Sequence, residues 1–94
     1  MKQVFSVKDI HDRLLYYWLD ELKLNSVGEL EPVNPRAVSF KLIADTVVDR
    51  VEVGFPKTLC YWRFNGGTVR AGSTFQISNI KVIGEINKMI QGVR

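Results

Sequence analysis

From Arg36 to Phe55 the side chains alternate with a period of two, and that pattern commits the middle of the chain to β-sheet. Val38, Phe40, Leu42 and Ala44 fall on one side of an extended segment over Arg36–Asp45, with Ser39, Lys41 and Ile43 on the other. Val47 to Phe55 repeats the alternation through Val51, Val53 and Phe55 against Arg50 and Glu52, until Pro56 stops it. A reversal near Thr46 would make the two segments antiparallel neighbours.

Strand character continues beyond Pro56. Cys60, Trp62 and Phe64 lie on one side of the next segment and Leu59, Tyr61 and Arg63 on the other, followed by Asn65 and Gly66, the dipeptide that most favours a tight hairpin. The return strand begins at Thr68 and Val69, is interrupted by Ala71 and Gly72, and resumes with Phe75 and Ile77. Ser78 or Asn79 then caps a helix whose apolar stripe is Ile80, Ile83, Ile86 and Ile90, widened by Val82 and Met89 and closed by Gly92.

The N-terminal third reads differently. Ser6 followed three residues later by Asp9 has the spacing of a helix cap, and Val7, Ile10, Leu14, Tyr17, Trp18 and Leu22 recur at helical intervals. A helix over Val7–Leu24 is therefore expected, ended by Asn25, Ser26 and Gly28. Pro32 and Pro35 restrict Glu29–Val33 to a short edge strand. The expected fold class is α+β: an antiparallel sheet of three to five strands with an N-terminal and a C-terminal helix packed on one face.

Length bounds this to one domain over residues 1–94 with a single core. The chain has one cysteine, Cys60, which excludes an internal disulfide and a Cys-rich zinc site within one chain and favours a reducing compartment. Met1–Val7 lacks the apolar run of a secretion signal and no stretch is long enough to span a bilayer, so the expected location is the cytoplasm of a cell or an infected host.

Catalytic chemistry finds little to work with. His11 is the sole histidine and is expected beside Leu15 and Trp18 as a partly buried structural residue. Cys60 shares a strand side with Trp62 and has no base at hand except His11. Asp45, Asp49 and Glu52 offer three carboxylates, but no lysine follows the glutamate at the spacing of common nucleases, and turn and strand roles explain them. Gly66, Gly67 and Gly72 lack the Gly-Lys-Ser/Thr of a phosphate loop and read as hairpin glycines. No catalytic residue, metal ligand or cofactor is assigned.

Charge and aromatics supply the functional expectation. Residues 1–35 carry four basic and six acidic side chains, residues 36–94 nine and four, and Val53–Gly84 contains no acid. Trp62, Phe64, Phe75, Phe40 and Val53 are assigned to the core beneath the helices. The opposite sheet face then displays Lys41, Arg50, Tyr61, Arg63, Arg70 and Gln76. Lys41, Arg50, Tyr61, Arg63 and Arg70 form the candidate surface of a non-catalytic module that contacts nucleic acid through phosphate contacts and base stacking. The alternative is a small protein-binding inhibitor, adaptor or homodimer, for which a phage or mobile element is a natural source. Tyr16, Leu19, Ile43, Leu59 and Tyr61 would be its apolar anchors and Arg63 its hot spot. No membrane contact is expected.

Overall fold

The computed structural model describes residues 1–55, 58–63 and 67–92, and among them it holds eight strands and one helix. The strands are β1 (Lys2–Asp9), β2 (Leu14–Leu24), β3 (Leu30–Pro32), β4 (Ala37–Lys41), β5 (Thr46–Phe55), β6 (Thr58–Arg63), β7 (Thr68–Val69) and β8 (Thr74–Ser78). The helix is α1 (Asn79–Gly92). Six strands make one curled sheet in the order β3-β2-β1-β5-β6, with β7 also paired to β5, while β4 and β8 pair separately. All pairs are antiparallel. None of the described helical structure is long and apolar enough to cross a membrane.

The expected N-terminal helix is absent: that segment is the β1–β2 hairpin. Phe5 and Val7 of β1 and Trp18 and Leu22 of β2 point into the core, whereas Ile10, Leu14 and Tyr17, which a helical stripe would bury, are exposed. The aromatic run Tyr16, Tyr17, Trp18 and the β-branched Val4 and Val7 suit a pleated surface, and cross-strand pairing with β5 decides the matter. Asp9 is a turn residue, not a helix cap. Its carboxylate accepts the backbone N–H groups of His11 and Arg13, both at 2.9 Å, and Asp12 takes the left-handed conformation with φ 64°.

Three further expectations are corrected. β4 and β5 are not neighbours: β4 pairs with β8, matching Phe40 with Phe75, and β5 pairs with β1. β6 and β7 do not form a hairpin, because both run antiparallel to β5 and therefore in the same direction, β6 against its C-terminal half and β7 against Thr46 and Val47. Asn65 and Gly66, together with Phe64, lie outside the described residues. The sheet also exceeds five strands, since β5 accepts β6 and β7 end to end on one edge.

β5 keeps one face inward along its length only because its register slips. Val48 and Val51 are both buried although three residues apart, and the irregularity between Lys8 and Asp9 in the β1–β5 pairing supplies the extra residue. The concave side of the sheet holds Phe5, Val7, Trp18, Leu22, Val48, Val51 and Val53, with Cys60 and Trp62 at its margin. Val38, Phe40 and Ile77 of the β4–β8 pair close one part of it, Phe40 stacking on Tyr16 at 4.8 Å.

α1 closes the rest, touching β3, β6 and β8. Its buried stripe is Asn79, Val82, Ile83 and Ile86, so Ile80, Met89 and Ile90 are more peripheral than the sequence suggests. Asn79 is fully buried and donates from Nδ2 to Asp20 Oδ2 at 2.7 Å and to the Asn34 carbonyl at 3.3 Å, while its Oδ1 accepts the Arg36 N–H at 3.0 Å. One turn from the other end, Asn87 accepts the Leu30 N–H and donates to the Leu30 carbonyl, completing β3 as a neighbouring strand would.

Candidate functional site

With α1 and the β4–β8 pair on the concave side, no element of the described residues covers the convex side of the central strands. The pairing register arranges it in three rows across β2, β1, β5 and β6. The first reads Leu19, Val4, Gly54, Leu59, where Gly54 pairs with Leu59 and lies one step beyond the Phe5–Val53 pair. The second reads Tyr17, Ser6, Glu52, Tyr61. The third reads Leu14, Lys8, Arg50, Arg63.

The first two rows are apolar and aromatic at their flanks. Tyr17 and Leu19 are 61% exposed and Leu59 62%, with Val4 and Tyr61 above 40%. Together these side chains present on the order of 500 Å², in the range of the largest, often functional, patch of a monomeric protein, in two groups on either side of Ser6, Glu52 and Gly54. Such a patch marks a place where another molecule can exclude water.

The third row is an ion network. Arg50 donates Nε to Glu52 at 2.8 Å and Nη1 to Asp49 at 3.0 Å, and its Nη2 binds the Asp12 carboxylate. Lys8 lies 3.4 Å from Glu52 and 3.7 Å from Asp12, and Arg63 lies 3.6 Å from Asp49. Three cations therefore meet three carboxylates with no net charge. The Arg50, Glu52 and Asp49 side chains are largely shielded, whereas Arg63 and Asp12 stand out into solvent. The Arg63 guanidinium also lies 5.8 Å from the centre of the Tyr61 ring.

Asp9 positions this network from behind. Burial pushes its carboxyl up, but the Arg13 backbone N–H, the Arg13 guanidinium at 2.8 Å and the His11 backbone N–H together hold it below its ordinary value. The charged Asp9 fixes the turn that presents Asp12 to Arg50.

Of the five expected binding residues, Arg50, Tyr61 and Arg63 come together on this face. Lys41 and Arg70 do not join them. Lys41 ends β4, and Arg70 belongs to the turn whose Gly72 and Ser73 exchange hydrogen bonds with Leu42, so both sit in a loop cluster near Asp45. Gln76 faces outward on β8, away from the main sheet. Among the expected apolar anchors, Leu19, Leu59 and Tyr61 share the bare face, Tyr16 turns inward onto Phe40, and Ile43 is fully exposed in the β4–β5 loop.

Sequence reasoning missed Val4, Tyr17 and Gly54, along with the acids that neutralise the face. Period-two alternation around Trp18 was the available signal for Tyr17, hidden by a competing helical spacing. His11 is exposed in the hairpin turn and not packed beside Trp18, while Cys60 does share the inward side with Trp62. Asp45 accepts the Ala71 N–H at 2.7 Å, and Asp49 and Glu52 are held by Arg50. Among the described residues no three potential ligands converge on a metal position. No protein family, curated protein or solved structure matches this chain.

Proposed function

We propose that the chain is a non-catalytic binding module that docks a protein through the convex face of its sheet. The observation that carries this reading is that Tyr17 and Leu19 on β2 and Leu59 on β6, each more than 60% exposed, flank one sheet face that no element of the described chain covers. Aromatic and aliphatic anchors beside an exposed arginine are the composition of interface centres. The ion network next to them suits a rim, where paired charges set orientation more than affinity.

A nucleic-acid reading has one observation in its favour, the exposed Arg63 guanidinium beside the Tyr61 ring, which suits a phosphate and a stacked base. Against it, Lys8 and Arg50 already face carboxylates, and Lys41 and Arg70 lie elsewhere. Quantitative capture from lysate by the wild-type chain, Leu59→Ala and Tyr61→Ala tests the docking reading. A retained partner lost from both variants is expected, and capture indifferent to both rejects it. Fluorescence anisotropy with short DNA and RNA at about 50 mM salt tests the other, since phosphate contacts are strongest there. Binding that Arg63→Ala abolishes would move the assignment to nucleic acid.

A further inference from the structure

We propose that the occupant of this face is a second copy of the chain, docked back to back about a two-fold axis along the seam between β1 and β5. The proposal rests on the docking reading above. In a two-fold interface each position meets its mirror across the axis, so a self-binding face must match itself on reflection through one line. This face does so about the β1–β5 seam.

In the first row Leu19 meets Leu59 of the second copy, and Val4 meets Gly54. In the second, Tyr17 meets Tyr61, and the Ser6 hydroxyl meets the Glu52 carboxylate. In the third, Lys8 meets Arg50, with Glu52 bound to Arg50 and 3.4 Å from Lys8 to offset their like charge. Leu14 meets the stem of Arg63.

Side-chain size follows the same symmetry. A curled sheet falls away at its flanks, and two convex faces would touch only along a central strip. In the first row the small Val4 and Gly54 occupy the central strands between Leu19 and Leu59, and in the second the short Ser6 lies beside Tyr17, while the longer central side chains Glu52, Lys8 and Arg50 are drawn into their ion network. Sheets packed face to face stand about 10 Å apart, a gap that side chains of these sizes fill.

Gly54 is the residue the monomer does not explain. It lies inside a strand, where glycine weakens pairing, its φ is outside the left-handed region, and a Cβ there would meet nothing within 4 Å. A notch that receives Val4 of a second copy accounts for it.

Charge is compatible with the same face. The chain carries a formal +3, but the three cations and three carboxylates of the ion network on this face balance, and Lys2 lies opposite Glu21 at its other end. The apolar rows and the ion network together approach the roughly 800 Å² per partner of a standard interface.

Sedimentation equilibrium of the purified full chain from about 1 to 500 µM reads the outcome directly. The expected result is a mass rising with concentration to twice that of the chain. Leu19→Lys and Leu59→Glu should each weaken self-association at least tenfold, and the double variant should recover most of it, because the two-fold sets the opposite charges against each other. Gly54→Ile should fold at least as stably as wild type, by circular dichroism and thermal melting, yet dimerise at least tenfold more weakly. A wild-type mass that stays monomeric throughout, single variants that associate normally, or a double variant no better than the worse single would each overturn the proposal. A monomeric chain whose lysate capture still depends on Leu59 and Tyr61 removes the second copy and leaves the docking reading standing; a monomer with no such capture removes both.

Discussion

Arg50 is the side chain on which the charged end of the face depends, since among the described residues it alone contacts all of Asp12, Asp49 and Glu52. Replacing it with alanine leaves Asp12 and Glu52 sharing Lys8 and Asp49 with the long contact to Arg63, Glu52 and Asp49 being poorly hydrated. Arg50→Ala should cost about 1–3 kcal/mol in urea unfolding, whereas Arg63→Ala, removing one exposed and long ion pair, should stay within about 0.5 kcal/mol. Asp9 sets the acid limit of the hairpin. Its folded-state pKa lies below the ordinary 3.8, so its contribution is present above that value and is lost as pH falls through the lower folded value. Stability measured from pH 6 down to about 2 should therefore drop less steeply at its acid end in Asp9→Asn, from a lower starting point. Neither role was legible from spacing. Asp12 is 38 residues from Arg50, and Asp9 mimics a helix cap because caps and hairpin turns both use a short carboxylate to bind nearby N–H groups.

The first hairpin shows how one sequence satisfies two periodicities at the level of elements. Val7, Ile10, Leu14, Trp18 and Leu22 have helical spacing, yet only Val7, Trp18 and Leu22 are buried, and those three also face inward as strand residues. The choice is made by β5, which offers β1 a pairing partner that no local pattern reveals. α1, by contrast, was legible from its apolar repeat, and its two asparagines explain how it is seated. Asn79→Ala removes a buried amide that ties the helix start to Arg36 and leaves the buried Asp20 carboxylate without its side-chain donor, at about 2–3 kcal/mol. Asn87→Ala should cost about 1–2 kcal/mol, and amide exchange should accelerate at Leu30 more than elsewhere in β3. Equal acceleration across β3 would show that Asn87 does not act as a strand substitute.

For the whole molecule, α1 fills the concave side of a curled sheet whose edge strands β3 and β6 it touches together. A chain ending at Ser78 should lose cooperative unfolding and near-ultraviolet dichroism and bind a hydrophobic dye, because Phe5, Val51 and Val53 would lose their cover. Retention of a sharp melt would mean that the sheet and the β4–β8 pair suffice. That same covering leaves the convex face without a described element over it, and this is the face the docking proposal uses.

Local sequence determined the alternating strands from Ala37 onward, the C-terminal helix, and the outward direction of Tyr61 and Arg63, because side-chain periodicity is a property of neighbours along the chain. Tertiary structure alone decided that residues 2–24 form a hairpin, that β4 seeks β8 and not β5, and that a stretch without acids borrows Asp12, Asp49 and Glu52 from outside itself. Pairing and charge compensation belong to segments brought together from far apart, and their energies appear only once the sheet register places Arg50 beside Lys8 and Arg63.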